Sequence, residues 1–232
     1  MLRKPTALIA SLTVLGLAFF CTLGTWQLRR AEFKEQLAAE FAASLRAPAV
    51  SLEQALGVIA ERKFVPVQLR GRYVANPTLL LDNQVEQGAT GVAVFNGFVS
   101  NQNQRLLIAR GFLGVARDRL SFPNPAVPSS ELTVRGILSA PPSGGIRMGA
   151  PVPAPASGPW LVMRIEPAAL KPQFGPGLLP YVLLLDPIDP HGFSRKWQPS
   201  TFGPERHRGY AVTWFGLAIT VLVVFLALHR RR

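Results

Sequence analysis

Residues 6–24 read TALIASLTVLGLAFFCTLG, and residues 210–228 read YAVTWFGLAITVLVVFLAL. No charged side chain lies between Lys4 and Arg29, and none between Arg208 and Arg230. Each run is close to the ~20 residues that a helix needs to cross a bilayer core. A helix also satisfies its own backbone in lipid, which an open strand cannot do. The two runs predict a membrane protein with one large domain held between two anchors.

The flanks set an expected orientation. Arg3 and Lys4 precede the first run, and Arg230, Arg231 and Arg232 follow the second. Short basic flanks stay on the cytoplasmic side, which places both termini there. Arg29, Arg30 and Lys34 pull the other way. They open a loop of about 180 residues, however, and long loops translocate largely regardless of charge. The expected boundaries are a cytoplasmic N-terminus at 1–5, spans at 6–24 and 210–228, an extracytoplasmic domain at 25–209, and a basic cytoplasmic tail at 229–232. The domain would be periplasmic in a bacterial inner membrane, or face the intermembrane space from a mitochondrial one. A cleaved signal peptide is the alternative for the first run, but the run is longer than a signal core and lacks a small-x-small cleavage site. Cys21 follows Phe20, which is too large for a lipoprotein signal. Trp26 and Trp214 fall near the outer interface, where indole rings are favoured.

The formal net charge is +12, from 25 basic and 13 acidic residues. A basic excess suits anionic lipid, an acidic partner or nucleic acid. Membrane lipid fits two spans. Nucleic acid does not, because no dense Lys/Arg run carries interleaved aromatics. The one cysteine, Cys21, allows no disulfide framework. Three histidines, His191, His207 and His229, are too scattered for a zinc cluster.

Between the anchors, Phe33, Leu37, Phe41 and Leu45 recur every four residues, among Glu32, Glu35 and Glu40. This period predicts a helix over 31–45 that continues the first anchor and ends near Pro48. A short helix over 51–60 follows, with Ser51 as N-cap and Glu53 and Gln54 in its first turn. Seven β runs come next, at 63–75, 78–85, 91–100, 105–113, 131–138, 160–165 and 181–186. Pro66 makes the first an edge strand or a bulge site. Asn101-Gln102-Asn103 signals a hairpin turn, and 88–91 reads as a loop between strands. Arg70-Gly71, Arg110-Gly111 and Arg135-Gly136 place glycines inside strands, where they mark bends, bulges or close backbone approach. The arginines could instead bind an anionic group. Residues 141–159 read as a loop or partner-binding flap, and 197–204 as an extended approach to the second anchor. The fold class is thus an α+β membrane protein, with two transmembrane helices flanking a mainly antiparallel β domain, barrel or sandwich-like.

Nothing nominates a catalytic site. Ser129 and Ser130 lack nucleophile-elbow glycines, and Asp82, Asp118, Asp186 and Asp189 form no paired motif. The expectation is a protein that is not an enzyme. His207, three residues before Tyr210, is the most informative titratable group. A neutral imidazole at a membrane surface can ligate haem iron, and Arg30, Arg206 and Arg208 could neutralise propionates. The alternative is an interfacial histidine that bonds lipid or backbone.

Gly24-Thr25-Trp26-Gln27, then Arg30, then Phe33-Lys34, resembles the Gly-x-Trp-Gln-x-x-Arg-x-x-Trp-Lys signature of the Surfeit locus protein family. The segment from His207 through Tyr210, Thr213 and Trp214 to Phe215-Gly216 resembles that family's His-x-x-Tyr-x-x-Thr-Trp-[Tyr/Phe]-Gly. Gly71-Arg72-Tyr73, Gly88-x-x-Gly91 and Ala109-Arg110-Gly111-Phe112 follow the family's order between them. Phe33 and Phe112 stand where tryptophan is usual, Ala109 where asparagine is, and Asn96 where proline is common. The resemblance implies an assembly factor for cytochrome c oxidase that assists haem a delivery to the haem-bearing subunit. It implies haem a as a transient cofactor and His207 as the haem iron ligand. Trp26, Arg30, Tyr210 and Trp214 would be neighbours of that site, and Arg110 a further candidate. The implied partners are oxidase subunits and the enzymes of haem a biosynthesis. The alternative is a scaffold or chaperone that grips oxidase subunits and binds no haem.

Overall fold

The computed structural model describes residues 5–116, 118–119, 121–142, 158–197 and 203–230. Most of the loop expected at 141–159 and of the approach at 197–204 lies outside them, as do Arg3, Lys4, Arg231 and Arg232. In chain order the elements are α1 (Ala7–Arg46), α2 (Leu52–Val58), β1 (Val65–Glu86), β2 (Ala89–Ser100), β3 (Arg105–Gly114), β4 (Leu132–Ser139), β5 (Trp160–Val162), α3 (Pro167–Phe174), β6 (Leu178–Leu185) and α4 (Pro204–His229). They form two compact units, Met1–Phe41 with Gln198–Arg232, and Ala42–Trp197.

The first unit is built on two helices. Helix α1 runs 40 residues, about 60 Å at 1.5 Å per residue. It fuses the first apolar run with the amphipathic stretch that follows, as the four-residue period predicts, and stops before Pro48. Helix α4 begins with Pro204 in its first turn, where a missing N–H costs nothing. Gly16 lies beside Val221, and Gly24 beside Phe215, so the helices run antiparallel. Gly24 is there for lack of space. A Cβ on it would stand 2.7 Å from the Phe215 ring. Both helices are long and apolar enough to cross a membrane. Leu8, Leu12, Val14, Val212, Ile219 and Val223 point outward uncovered, and lipid is the solvent that would cover them.

The second unit is a small barrel. Helix α2 begins with the expected cap. Ser51 accepts from the Gln54 N–H, and the Gln54 side chain accepts from the Ser51 N–H. Strand β1 then pairs with β2 and β4 on its two flanks. The ring closes through β2–β3, β3–β6 and β6–β4. Strand β5 adds to β1 in parallel, and β3–β6 is also parallel. The sheet is therefore mixed, with the antiparallel pairs in the majority.

Among the described residues, six strands replace the seven runs. The runs at 63–75 and 78–85 are one 22-residue strand. Pro77 does not break it, because the register shift between Tyr73 and Thr78 leaves that stretch without ladder partners in β2. Pro66 is tolerated for a related reason. Its carbonyl accepts from the Val50 N–H on the flank away from β4. The N–H that proline lacks would face that flank, not the ladder. Gln87 and Gly88 make the β1–β2 turn with positive φ, and the rest of the expected loop, 89–91, belongs to β2. Helix α3 has no counterpart in the sequence reading, which is unsurprising for eight residues with Pro172 inside.

Alternation puts one face of each strand inward. Val65, Val67, Leu69 and Tyr73 of β1 meet Phe98, Leu106, Ile108, Val134, Leu138, Leu183 and Leu185 within the ring, and Leu52, Ala55 and Ile59 of α2 pack on this cluster. Leu79, Leu81, Leu107 and Val182 face the other way, under Trp160, Leu170 and Phe174.

Candidate functional site

Two loci emerge, one in each unit. In the first unit, His207 lies in the opening turns of α4, and its Nδ1 is 2.8 Å from Gln27 Oε1 on α1. An amide oxygen only accepts, so Nδ1 carries the proton and donates it. In the neutral imidazole this leaves the lone pair on Nε2, the form in which an imidazole takes a metal. Next along α4, Arg208 pairs with Glu35. These two cross-helix contacts join segments that are 180 and 173 residues apart in sequence.

The other expected residues of this locus are distributed around the helix pair. Trp214, two turns on from His207, stacks on Phe20 at 5.9 Å between ring centroids. Trp26 and Tyr210 are 55% and 52% exposed, as amphipathic rings are at an interface. Arg30 lies with its guanidinium 5.2 Å from the Phe33 ring centroid, so phenylalanine at that position still offers the arginine an aromatic face. Of the three arginines named for propionates, Arg208 is already engaged by Glu35. Gln27 sits in the quoted Trp-Gln motif, yet sequence reasoning did not assign it a role. The signal was the motif itself, because a polar amide at the end of an apolar run needs a partner.

Arg110 belongs to the second unit. It is the extra residue of a bulge, for Ala109 pairs with Phe95 and Gly111 with Val94. The bulge aims its side chain into the ring. Nε donates to the His191 carbonyl at 2.9 Å, and Nη1 to Asn96 Oδ1 at 3.1 Å and the Ala126 carbonyl at 3.0 Å. The guanidinium lies 5.3 Å from the Tyr73 ring centroid and 4.8 Å from that of Phe193. Burial lowers its pKa from the ordinary arginine range, with Tyr73 and Asp189 opposing. Burial likewise raises that of the Tyr73 phenol, against Arg110.

The three Arg-Gly pairs therefore differ. Arg70 and Arg135 are exposed and pair with Glu131 and Asp186. Their glycines allow strands to approach, since a Cβ on Gly71 or Gly136 would come within 2.1 or 2.3 Å of a facing carbonyl. Arg110 alone of these arginines turns inward. Arg110→Met should lower the unfolding free energy by about 2 kcal/mol, because three acceptors lose their donor in a buried site. Denaturant unfolding of the purified protein checks this. Among the described residues, no group of three or more His, Cys, Asp or Glu could hold a metal ion.

The model of the SURF1 family matches residues 14–219. The chain is 23% identical over 215 residues to a SURF1-like protein of Rickettsia felis, covering 90% of this chain and 91% of that one. It is also 23% identical over 220 residues to a SURF1-like protein of Rickettsia conorii, covering 90% and 86%. The family match begins within α1, ends within α4 and spans the barrel in between.

Proposed function

The chain belongs to the SURF1 family, associated with cytochrome c oxidase assembly, and on that premise we propose that it assists delivery of haem a to the haem-bearing subunit, with His207 as the iron ligand. The observation that supports this reading most is the Gln27–His207 bond. It ties the two quoted motifs together and frees Nε2 for ligation. Ligating histidines are oriented by such a bond on their other nitrogen.

Haem a would supply an iron centre that a neutral imidazole nitrogen can ligate, and His207 is the residue that would hold it. The chain's own residues do the rest. Gln27 holds the proton on Nδ1. Trp214 and Phe20 offer an aromatic wall on the same helix pair. Arg206 lies in the opening turns of α4, and Arg30 lies about one turn beyond Gln27 on α1. Transfer to the oxidase subunit follows from a difference in affinity, so tight retention is not required. The enzymes that make haem a would be the donors.

Gln27→Leu keeps the side chain's bulk and removes the acceptor. It should weaken haem a binding about 10–100-fold, the usual cost of losing a ligand's orienting partner. Titration of the detergent-purified protein with haem a measures this. Unchanged affinity would remove Gln27 from the site. Oxidase subunits that co-purify equally with wild type and a haem-free variant would favour the scaffold alternative.

The reading also places the barrel outside the cytoplasm of a bacterial cell, with both termini inside. Exposed Ser129 allows a test, because Cys21 is the sole native thiol. In a Cys21→Ser background, Ser129→Cys should react with a membrane-impermeant maleimide added to cells whose outer membrane is permeabilised. Labelling only after lysis would reverse the topology.

A further inference from the structure

The helix pair of the first unit leaves a gap at one end. Ile9 and Thr13 of α1, with Val224, Phe225 and His229 of α4, line a cavity of about 260 Å³. Its walls are almost wholly apolar. The two threonines there, Thr13 and Thr220, donate to the Ile9 and Gly216 carbonyls of their own helices at 2.9 Å each, so neither seeks a polar ligand. The volume falls below the ~300–1,000 Å³ of sites that enclose a whole drug-sized ligand. It suits a single hydrocarbon chain rather than a ring system.

One polar atom at this cavity is uncommitted. His229 is 9% exposed. Its Nδ1 lies 2.8 Å from the Phe225 carbonyl, which only accepts, so Nδ1 carries the proton. The Phe225 ring lies against the imidazole, at 4.5 Å between centroids. In the neutral imidazole Nε2 holds the lone pair, and among the described residues it has no hydrogen-bond partner. An acceptor left unmade is costly away from water, so a ligand that brings a hydroxyl is favoured. Charge gathers at the same end. The sequence puts Arg3 and Lys4 before α1 and Arg230, Arg231 and Arg232 after α4, and no acidic residue occurs in 1–31 or 206–232. Arg230 is exposed and has no carboxylate partner among the described residues. Helix α1 also begins here. Thr6 caps the Ile9 N–H, while those of Ala7 and Leu8 have no intrahelical acceptor. The C-terminus of α4 offsets that field, so the basic side chains carry the charge.

We propose that this end of the helix pair holds one anionic phospholipid with a hydroxylated headgroup. One acyl chain fills the cavity, the phosphate meets Arg230, and a headgroup hydroxyl donates to His229 Nε2. Any bilayer would wet the outer faces of both helices. This position differs because a recess, an unmet acceptor and unbalanced positive charge coincide there. Basic pockets between spanning helices take anionic headgroups in this way. The inference requires the two helices to cross a bilayer. It does not depend on the haem reading, for His207 lies at the other end of α4.

The test titrates the full-length, delipidated protein in detergent with phosphatidylglycerol or phosphatidylcholine and counts bound lipid by native mass spectrometry. Each basic residue near an anionic headgroup is worth roughly fivefold in affinity. Phosphatidylglycerol should therefore bind at about a tenth of the phosphatidylcholine concentration or less. Val224→Phe fills the cavity and should raise the phosphatidylglycerol concentration for half occupancy about tenfold. Val223→Phe makes the same change beside it at a residue that is 56% exposed and does not line the cavity, and should leave binding unchanged. His229→Phe keeps a ring against Phe225 and removes the acceptor, and should cost about tenfold for phosphatidylglycerol and nothing for phosphatidylcholine. Circular dichroism confirms that each variant keeps its helices. Equal binding of the two lipids overturns the site. So do equal effects of Val224→Phe and Val223→Phe, which would mark a general lipid coat, and so does a His229→Phe protein that keeps the wild-type phosphatidylglycerol affinity.

Discussion

Gly71→Val is expected to leave no folded barrel. Gly71 stands where β1 is bonded on both flanks, opposite Ser100 of β2 and Leu132 of β4. It is the residue through which the ring passes from one partner to the other. A Cβ there would lie 2.1 Å from the Val99 carbonyl oxygen and 2.8 Å from the Ser100 Cα. Both are backbone atoms of the paired strand, so no side-chain rotation relieves the overlap. Strand β2 must move away, and the closing ladder goes with it. The loss should be about 4 kcal/mol or more, in the range reserved for broken backbone packing, which is a large part of a domain's total stability. The purified protein should lose its β-sheet circular dichroism and yield to protease between the two helices. Gly57→Ala is the control. Nothing lies within 4 Å of a Cβ at Gly57, and alanine in a helix should stabilise by up to about 1 kcal/mol.

His207→Ala is expected to abolish haem a binding while leaving both units folded. His207 is partly exposed, and its recorded hydrogen bond is to Gln27. Removing it costs one cross-helix bond, about 1 kcal/mol, and the Glu35–Arg208 pair and the Phe20–Trp214 stack remain. On the proposed haem reading, removing His207 should exceed the ~10–100-fold loss expected for Gln27→Leu. A ladder of effects, His207→Ala beyond Gln27→Leu beyond wild type, is what a ligand and its orienting partner produce. An interfacial histidine without a ligand would give no ladder.

Much of the fold was legible because it rests on period and punctuation. The uncharged runs marked both long helices, the four-residue period carried α1 past the membrane, and Ser51 with Gln54 marked the start of α2. Barrel or sandwich stayed open in the sequence, since strand patterns are local and closure is not. Only the whole circuit of pairs, β1–β2–β3–β6–β4 and back to β1, decides it. The merging of two runs into one strand was hidden for a similar reason. Pro77 reads as a break unless one knows that its neighbours carry no ladder bonds.

The site was legible in part. His207, Trp26 and Trp214 stood out through their motifs and their place at the ends of apolar runs. Gln27 did not, because its role depends on a partner 180 residues away. The three Arg-Gly pairs looked alike in sequence, yet the alternation of strand faces, with a bulge at Arg110, turns one arginine inward and leaves two on the surface. A bulge shifts register by one residue, and no sequence spacing reports which residue it shifts.

The haem reading makes its clearest claim at one nitrogen, His207 Nε2. The direct measurement is the absorption spectrum of the detergent-purified protein from cells that make haem a, for wild type and His207→Ala. The account predicts a haem a band in the wild type and none in the variant, with equal circular dichroism. A band that persists in His207→Ala, or no band in a folded wild type, would contradict it.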